Sequence, residues 1–191
     1  MAPTQPFSSP HVHPSYPSLY LYPLNDTFIP KHISLHNDQR VTIGRDTKKT
    51  KTIIPGERNG YFDSKVVSRQ HAEIWEDSGK IYIKDVKSSN GTFINGERLS
   101  SEGVESEPFE LENHDIVQFG IDIIGEDNKT TICHKVEARV TCVFTNEDAH
   151  FAALSCWLEG ELQKTRQTGT VADSSALSLT NNQPAISLVM A

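Results

Sequence analysis

The run SSNGTFINGERLS, Ser88 to Ser100, holds two Asn-Gly pairs, Asn90–Gly91 and Asn95–Gly96, around the apolar triplet Thr92-Phe93-Ile94. One Asn-Gly is enough to close a tight hairpin, because both residues accept φ > 0 at little cost. Asn95–Gly96 reads as that hairpin, placed so that Phe93 and Ile94 pair with the strand that follows. Asn90–Gly91 then has a different task. Its glycine shapes a loop whose backbone can approach a ligand closely and which presents Ser89 and Asn90. Short strands joined by tight turns are what the run implies, and the pattern continues in both directions from it.

Upstream lie LYLYPL (19–24), HISLH (32–36), RVTIG (40–44), HAEIWE (71–76) and KIYIKD (80–85). Downstream lie DIVQFG (115–120), ICHKVEA (132–138) and RVTCVF (139–144). Each is short, β-branched or aromatic, and bounded by turn residues, which predicts an all-β sandwich or barrel over residues 19–144. Residues 1–18 contain five prolines and no Asp, Glu, Lys or Arg, the composition of a disordered lead-in. From Thr145 the period changes. Phe151, Leu154, Leu158 and Leu162 recur at spacings of three and four, with Asn146 as the expected N-cap, so residues 145–166 read as an amphipathic helix weakened by Gly160. Its apolar stripe either packs back on the sandwich or opens a coiled coil. Residues 167–191, with the single charge Asp173, read as a disordered tail.

The chain has 191 residues, net charge -7 and pI ≈ 5.6, which disfavours nucleic acid and anionic membrane as partners and makes any basic site local. Cys133, Cys142 and Cys156 lack metal-ligand spacing and fit a reducing compartment. No apolar run approaches the ~18 residues of a spanning helix. A cytoplasmic protein is expected, reaching the cytosolic face of an internal membrane through partners or in a longer form.

Three short motifs sit where strands begin or end: Gly44–Arg45, then SRQH (Ser68–His71), then SSNGT (Ser88–Thr92). In a sandwich such positions can meet at one end of the sheets. Arg45 supplies a planar, always-charged fork suited to two phosphate oxygens. Ser68 adds a hydroxyl, Arg69 a second cation, and Ser89 and Asn90 short polar groups beside a glycine turn. Donors outnumber acceptors, and neither a base nor a metal ligand is present. The set suits binding a compact dianion such as a phosphorylated side chain. A Ser68–His71–Asp85 triad is disfavoured, since residues three apart on an extended strand point to opposite faces and no Gly-x-Ser-x-Gly elbow occurs. No cofactor, metal site or enzymatic activity is expected.

The ordered set Gly-Arg, Ser-Arg-x-His, Asn-Gly-Thr and a second Asn-Gly resembles the forkhead-associated (FHA) domain family. That resemblance implies a β-sandwich of about eleven strands whose loops at one end bind phosphothreonine peptides. It implies that Arg45 and Ser68 hold the phosphate, that Arg69 and Ser89 flank it, and that Asn90 bonds the peptide backbone. Gly44, His71, Gly91 and Thr92 would support the loops. The longer run ERNGYFDSKVVSRQHAEIW…KSSNGTFINGERLS…IVQFGIDI is similar to the sarcolemmal membrane-associated branch of the family and its fungal members, which implies a striatin-type phosphatase and kinase scaffold as partner. Lys48, Lys49, Lys51 and Arg58, close after Arg45, are expected to form a basic rim that steers an acidic peptide. The alternative is a coiled-coil scaffold subunit acting through the C-terminal helix, with the sandwich structural.

Overall fold

The computed structural model describes residues 16–36, 39–46 and 54–154. In chain order the strands are β1 (Ser18–Pro23), β2 (Lys31–Ser34), β3 (Val41–Arg45), β4 (Tyr61–Phe62), β5 (Ala72–Asp77), β6 (Lys80–Asp85), β7 (Thr92–Ile94), β8 (Glu97–Arg98), β9 (Phe109–Leu111), β10 (Ile116–Phe119), β11 (Ile123–Ile124), β12 (Thr131–Cys133) and β13 (Val136–Val143). A six-stranded sheet runs β2-β1-β13-β10-β7-β8, a five-stranded sheet runs β4-β3-β5-β6-β9, and β11 and β12 form a hairpin of their own. The count among described residues exceeds the expected eleven or so because β4, β8 and β11 are two-residue pairings too brief to show a period.

Alternation drives the packing. In β13, Val136, Ala138, Val140 and Cys142 are buried while the residues between them are not, the period-2 signature of a strand with one face on a core. No break falls at Ala138–Arg139, where the two runs were expected to part: β13 continues through it, and the chain leaves the strand instead at His134–Lys135, between β12 and β13. Ala138 and Arg139 pair with Pro23 and Tyr22 of β1 on one side and with Val117 and Ile116 of β10 on the other, so the ladder passes through unbroken. Leu19, Leu21, Val117 and Val140 of the larger sheet join Ile43, Ile74, Ile81 and Ile83 of the smaller one in a single apolar cluster. That shared core makes the fold a β-sandwich. One cation enters it. Lys31 is fully buried, its Nζ 2.7 Å from the Gly56 carbonyl and 4.7 Å from the centre of the Phe62 ring. Burial pushes its pKa down to about 8.

Asn95 and Gly96 both take positive φ, 52° and 87°, and close a two-residue hairpin in which Phe93 faces Arg98 and Ile94 faces Glu97. The Asn95 side chain fixes this turn, donating from Nδ2 to Asp115 Oδ1 (2.8 Å) and accepting the Ile116 N–H at Oδ1 (2.9 Å). Nothing lies within 4 Å of a Cβ built on Gly96. Gly96→Ala therefore meets only the backbone penalty, and chemical denaturation should show a loss of about 1–2 kcal/mol. No change in stability would mean the turn relaxes at no cost.

Residues 146–154 are helical, but the cap is Thr145, not Asn146. Thr145 Oγ1 accepts the Asp148 N–H (3.1 Å), while Asp148 Oδ2 accepts the N–H groups of Thr145 (2.9 Å) and Phe144 (3.0 Å). This reciprocal box needs an acidic or amide side chain three residues after the cap. Thr145 has Asp148 there, whereas Asn146 has Ala149. The Phe144 N–H bond, with those of Thr145, holds the Asp148 carboxyl below its usual range. Ala152 is the helix residue turned inward, its carbonyl accepting the Tyr22 hydroxyl at 2.7 Å. Phe151 and Leu154 are exposed, 67% and 46%. Leu158, Leu162 and Gly160 lie outside the described residues.

Candidate functional site

The three sequence motifs meet. At the end of β3 the Arg45 N–H donates to the Ser68 carbonyl (2.9 Å). The Ser89 N–H donates to Ser68 Oγ (3.1 Å), which ties the loop before β5 to the loop before β7. Gly44 is what permits the first crossing: a Cβ there would collide with the Arg69 carbonyl oxygen, a backbone atom with no room to yield. Gly120, at the end of β10, closes the other side, its N–H on the Gly91 carbonyl (2.9 Å).

His71 is completely buried and braces both loops. Its Nδ1 accepts the Ser68 N–H (3.0 Å), which leaves Nε2 protonated and donating to the Gly91 carbonyl (3.1 Å). Burial holds this imidazole below the usual histidine pKa, against the opposing pull of the Gly91 carbonyl and the Asp85 charge. Unfolded, it titrates near ~6.5. As pH falls below that value the unfolded chain gains a proton that the folded one does not, so stability is present above ~6.5 and is lost on acidification. His32, also lowered by burial, adds in the same sense. Urea midpoints should fall from pH 7.5 to 5.5; a midpoint that stays level or rises would contradict the neutral, doubly bonded His71.

Beneath the SSNGT loop lies Asp85, 1% exposed. Its Oδ1 accepts the Ser88 N–H (2.8 Å), and its Oδ2 accepts Ser88 Oγ–H (2.6 Å) and Thr92 Oγ1–H (2.7 Å). Ser88 Oγ in turn accepts the Gly91 N–H (2.9 Å). Asp85 thus holds both ends of the loop. Sequence reasoning weighed it only as a third triad member. The available signal was the spacing Asp85-x-x-Ser88, an acceptor placed to cap the turn that follows a strand.

The triad itself is absent among the described residues. Ser68 and His71 do touch, because residues 68–70 form a turn ahead of β5 and not an extension of it. The contact uses the Ser68 backbone N–H, however, and Asp85 is engaged by Ser88 and Thr92. No cluster of His, Cys, Asp and Glu fit to hold a metal occurs among the described residues.

What remains is a set of donors. Arg45 is half-buried, and its Nε, buried, has no hydrogen-bond partner among the described residues. Ser68 Oγ keeps its own proton to donate, while Arg69 and Ser89 are exposed beside it. Asn90 is anchored by Nδ2 on the Val66 carbonyl (2.8 Å), leaving Oδ1 as the acceptor it can offer. Arg40, Lys80, Lys84, Lys87 and Lys135 are each paired with a carboxylate. Arg45, Arg69 and Arg98 have no such pairing among the described residues. A buried donor without a partner costs free energy, of order 1–3 kcal/mol, that an anion at this position would recover. Of the basic rim, Lys48, Lys49 and Lys51 lie outside the described residues. Arg58 is exposed, and its charge acts on His32 and Tyr20.

Comparison with known proteins adds the following. Residues 41–120 match the model of the FHA domain. An uncharacterized protein of Schizosaccharomyces pombe is 46% identical over 125 residues, 64% of this chain and 40% of that protein. The human sarcolemmal membrane-associated protein is 43% identical over 111 residues, 57% of this chain and 13% of that protein. The E3 ubiquitin-protein ligase DMA1 of Saccharomyces cerevisiae is 38% identical over 103 residues, 51% of this chain and 25% of that protein. The chain spans less than half the length of each of these relatives.

Proposed function

Since residues 41–120 are an FHA domain, we propose that the chain is a phosphothreonine-peptide-binding adaptor that recruits phosphorylated partners and has no catalytic activity of its own. The observation that carries the reading is the buried Arg45 Nε, without a hydrogen-bond partner among the described residues, on a residue whose backbone N–H is bonded to Ser68, itself tied to Ser89. Arg45 and Ser68 grip the phosphate with charge-assisted hydrogen bonds worth roughly 1.5–3 kcal/mol each. Arg69 and Ser89 flank it, and Asn90 Oδ1 takes a backbone N–H of the peptide. Gly44, His71, Gly91 and Thr92 keep the loops in place and touch no ligand. Lys48, Lys49, Lys51 and Arg58 form a basic rim that speeds the approach of acidic peptides and is screened by salt. A small gap beside the phosphate favours the threonine methyl over serine. The similarity to the sarcolemmal membrane-associated protein supports a striatin-type phosphatase and kinase scaffold as the setting. No helix among the described residues is long and apolar enough to cross a membrane, and we place the protein in the cytoplasm, reaching the cytosolic face of an internal membrane through partners or in a longer form.

The test is a titration with a peptide library in three versions, phosphothreonine, phosphoserine and unmodified. Binding is expected in that order, with none to the third. Equal binding to the modified and unmodified forms would remove the reading.

A second reading is favoured by the exposure of Phe151 and Leu154, which leaves the described half of the helix stripe uncovered. The helix then serves as a scaffold contact, a coiled-coil start, and the two roles coexist. Light scattering on the full chain and on residues 1–145 separates them. A dimer that becomes monomeric on truncation supports self-association through the helix; two monomers remove it.

A further inference from the structure

Lys31 belongs to none of the three motifs and is a poor core residue. It is 2% exposed, and no carboxylate pairs with it among the described residues. Leu21 lies across from it on β1 and Ile33 shares its face of β2, both fully buried. A charge in such surroundings costs free energy that an apolar side chain of the same length would not. What the ammonium holds is the segment that leads into β4.

Its Nζ donates to the Gly56 carbonyl (2.7 Å) and lies 4.7 Å from the centre of the Phe62 ring. Gly56 opens a loop, residues 56–60, that β2 grips a second time through the His32 N–H on the Glu57 carbonyl (2.7 Å). Asn59 closes this loop, its Oδ1 accepting the N–H groups of Gly56 and Tyr61 at 3.1 Å each. The loop in turn is pressed on the strand that carries Arg45. The Gly44 N–H donates to the Gly60 carbonyl (3.0 Å), and a Cβ on Gly60 would collide with the Thr42 carbonyl oxygen. Phe62 is the parallel partner of Arg45, and its carbonyl accepts the Asp46 N–H (3.4 Å). Both chain neighbours of Arg45 are therefore fastened to the segment that Lys31 holds.

We infer that Lys31 is a positioning residue for Arg45: protonated, it clamps residues 56–62 against β3 and fixes the strand end from which the guanidinium meets the phosphate. The inference rests on the phosphopeptide reading above and adds a regulation of that same site by pH. Burial alone brings Lys31 down to about 8, so the clamp loosens just above neutrality. The neutral amine still donates to Gly56, but without charge assistance and without attraction to the ring. Among the described residues no titratable side chain faces it from the packed elements. Tyr20, His32 and Tyr61 alternate to the other side of their strands, and Asp26, Glu57, Arg58 and Asp63 are exposed.

Binding and stability then move in opposite directions. The unfolded chain keeps the Lys31 proton to ~10.4, the folded one only to about 8. Between these values the cost of burying the charge is relieved and stability rises, while phosphopeptide affinity falls.

The experiment uses the full chain and an N-acetylated phosphothreonine peptide free of Cys, His, Tyr and Lys, whose phosphate is already a dianion at pH 7. By isothermal titration, wild-type affinity should fall about 3- to 10-fold from pH 7 to 9, while the urea midpoint holds or rises. Lys31→Met should bind about 3- to 10-fold more weakly than wild type at pH 7 and show a flat profile above it. Its urea midpoint at pH 7 should not drop, because the Gly56 carbonyl keeps the Asn59 N–H (3.5 Å) and the site suits an apolar side chain. A wild-type affinity that stays level from pH 7 to 9 overturns the inference whatever the variant does. So does an equal fall with pH in Lys31→Met. A midpoint that drops together with affinity in Lys31→Met makes Lys31 a structural residue and overturns it as well. If no phosphopeptide binds wild type at any pH, the phosphopeptide reading fails and the inference fails with it. Binding that ignores pH leaves that reading intact.

Discussion

Arg45→Ala should lose at least ~100-fold in affinity for phosphothreonine peptides while its unfolding free energy stays within about 0.5 kcal/mol of wild type. The two halves of this expectation have separate causes. Two charge-assisted bonds to a phosphate, at roughly 1.5–3 kcal/mol each, amount to more than two decades in Kd. Stability is spared because the packing lost with the half-buried side chain is offset by removal of a buried donor that the fold leaves unsatisfied. The hydrogen bond joining Arg45 to Ser68 is made by the backbone N–H, which alanine retains, and the side-chain Nε has no partner among the described residues. Isothermal titration and a urea melt on the same preparation measure both. A variant that binds as wild type does would remove Arg45 from the site. One that unfolds several kcal/mol more easily would make it a structural residue instead.

The opposite pairing of effects is expected at Asp85. Asp85→Ala leaves the Ser88 N–H, the Ser88 hydroxyl and the Thr92 hydroxyl without their acceptor in a buried setting. At about 1–3 kcal/mol for each unsatisfied group, the loss of stability should reach roughly 3 kcal/mol or more. Phosphopeptide binding should weaken too, although Asp85 touches no ligand, because the loop that presents Ser89 and Asn90 loses its anchor. Asp85→Asn should fall between, since an amide oxygen accepts but its nitrogen faces hydroxyl donors. Denaturation within 1 kcal/mol of wild type would mean that water or a rearranged loop satisfies those donors.

The two Asn-Gly pairs show how much of this was legible in the sequence. Asn95–Gly96 needs only the local rule that both residues accept positive φ, and both do. Asn90–Gly91 obeys a different constraint. There only Gly91 is left-handed, at φ 88°, and the loop depends on Asp85, His71 and Gly120, which no turn rule connects. Strand existence was readable wherever apolar residues alternate over four positions or more. The two-residue strands β4 and β11 were not, because so short a pairing has no period and is fixed by its neighbours, and β8 was readable only from the hairpin turn that precedes it. The break expected at Ala138–Arg139 failed for a related reason: a strand paired on both sides continues through a local change of pattern. At the helix start, Asn146 and Thr145 are equally good caps by residue type. Only the side chain three residues on decides, and it selects Thr145.

The central claim is that a phosphate sits between Arg45, Ser68 and the Ser89–Asn90 loop, and NMR of the labelled chain tests it most directly. Titration with a phosphothreonine peptide pool should shift the Arg45 side-chain Nε–H resonance together with the backbone amides of Ser68, Ser89 and Asn90, with little change in residues 146–154. Shifts confined to the helix, or an Arg45 Nε–H signal unmoved at saturation, would contradict it.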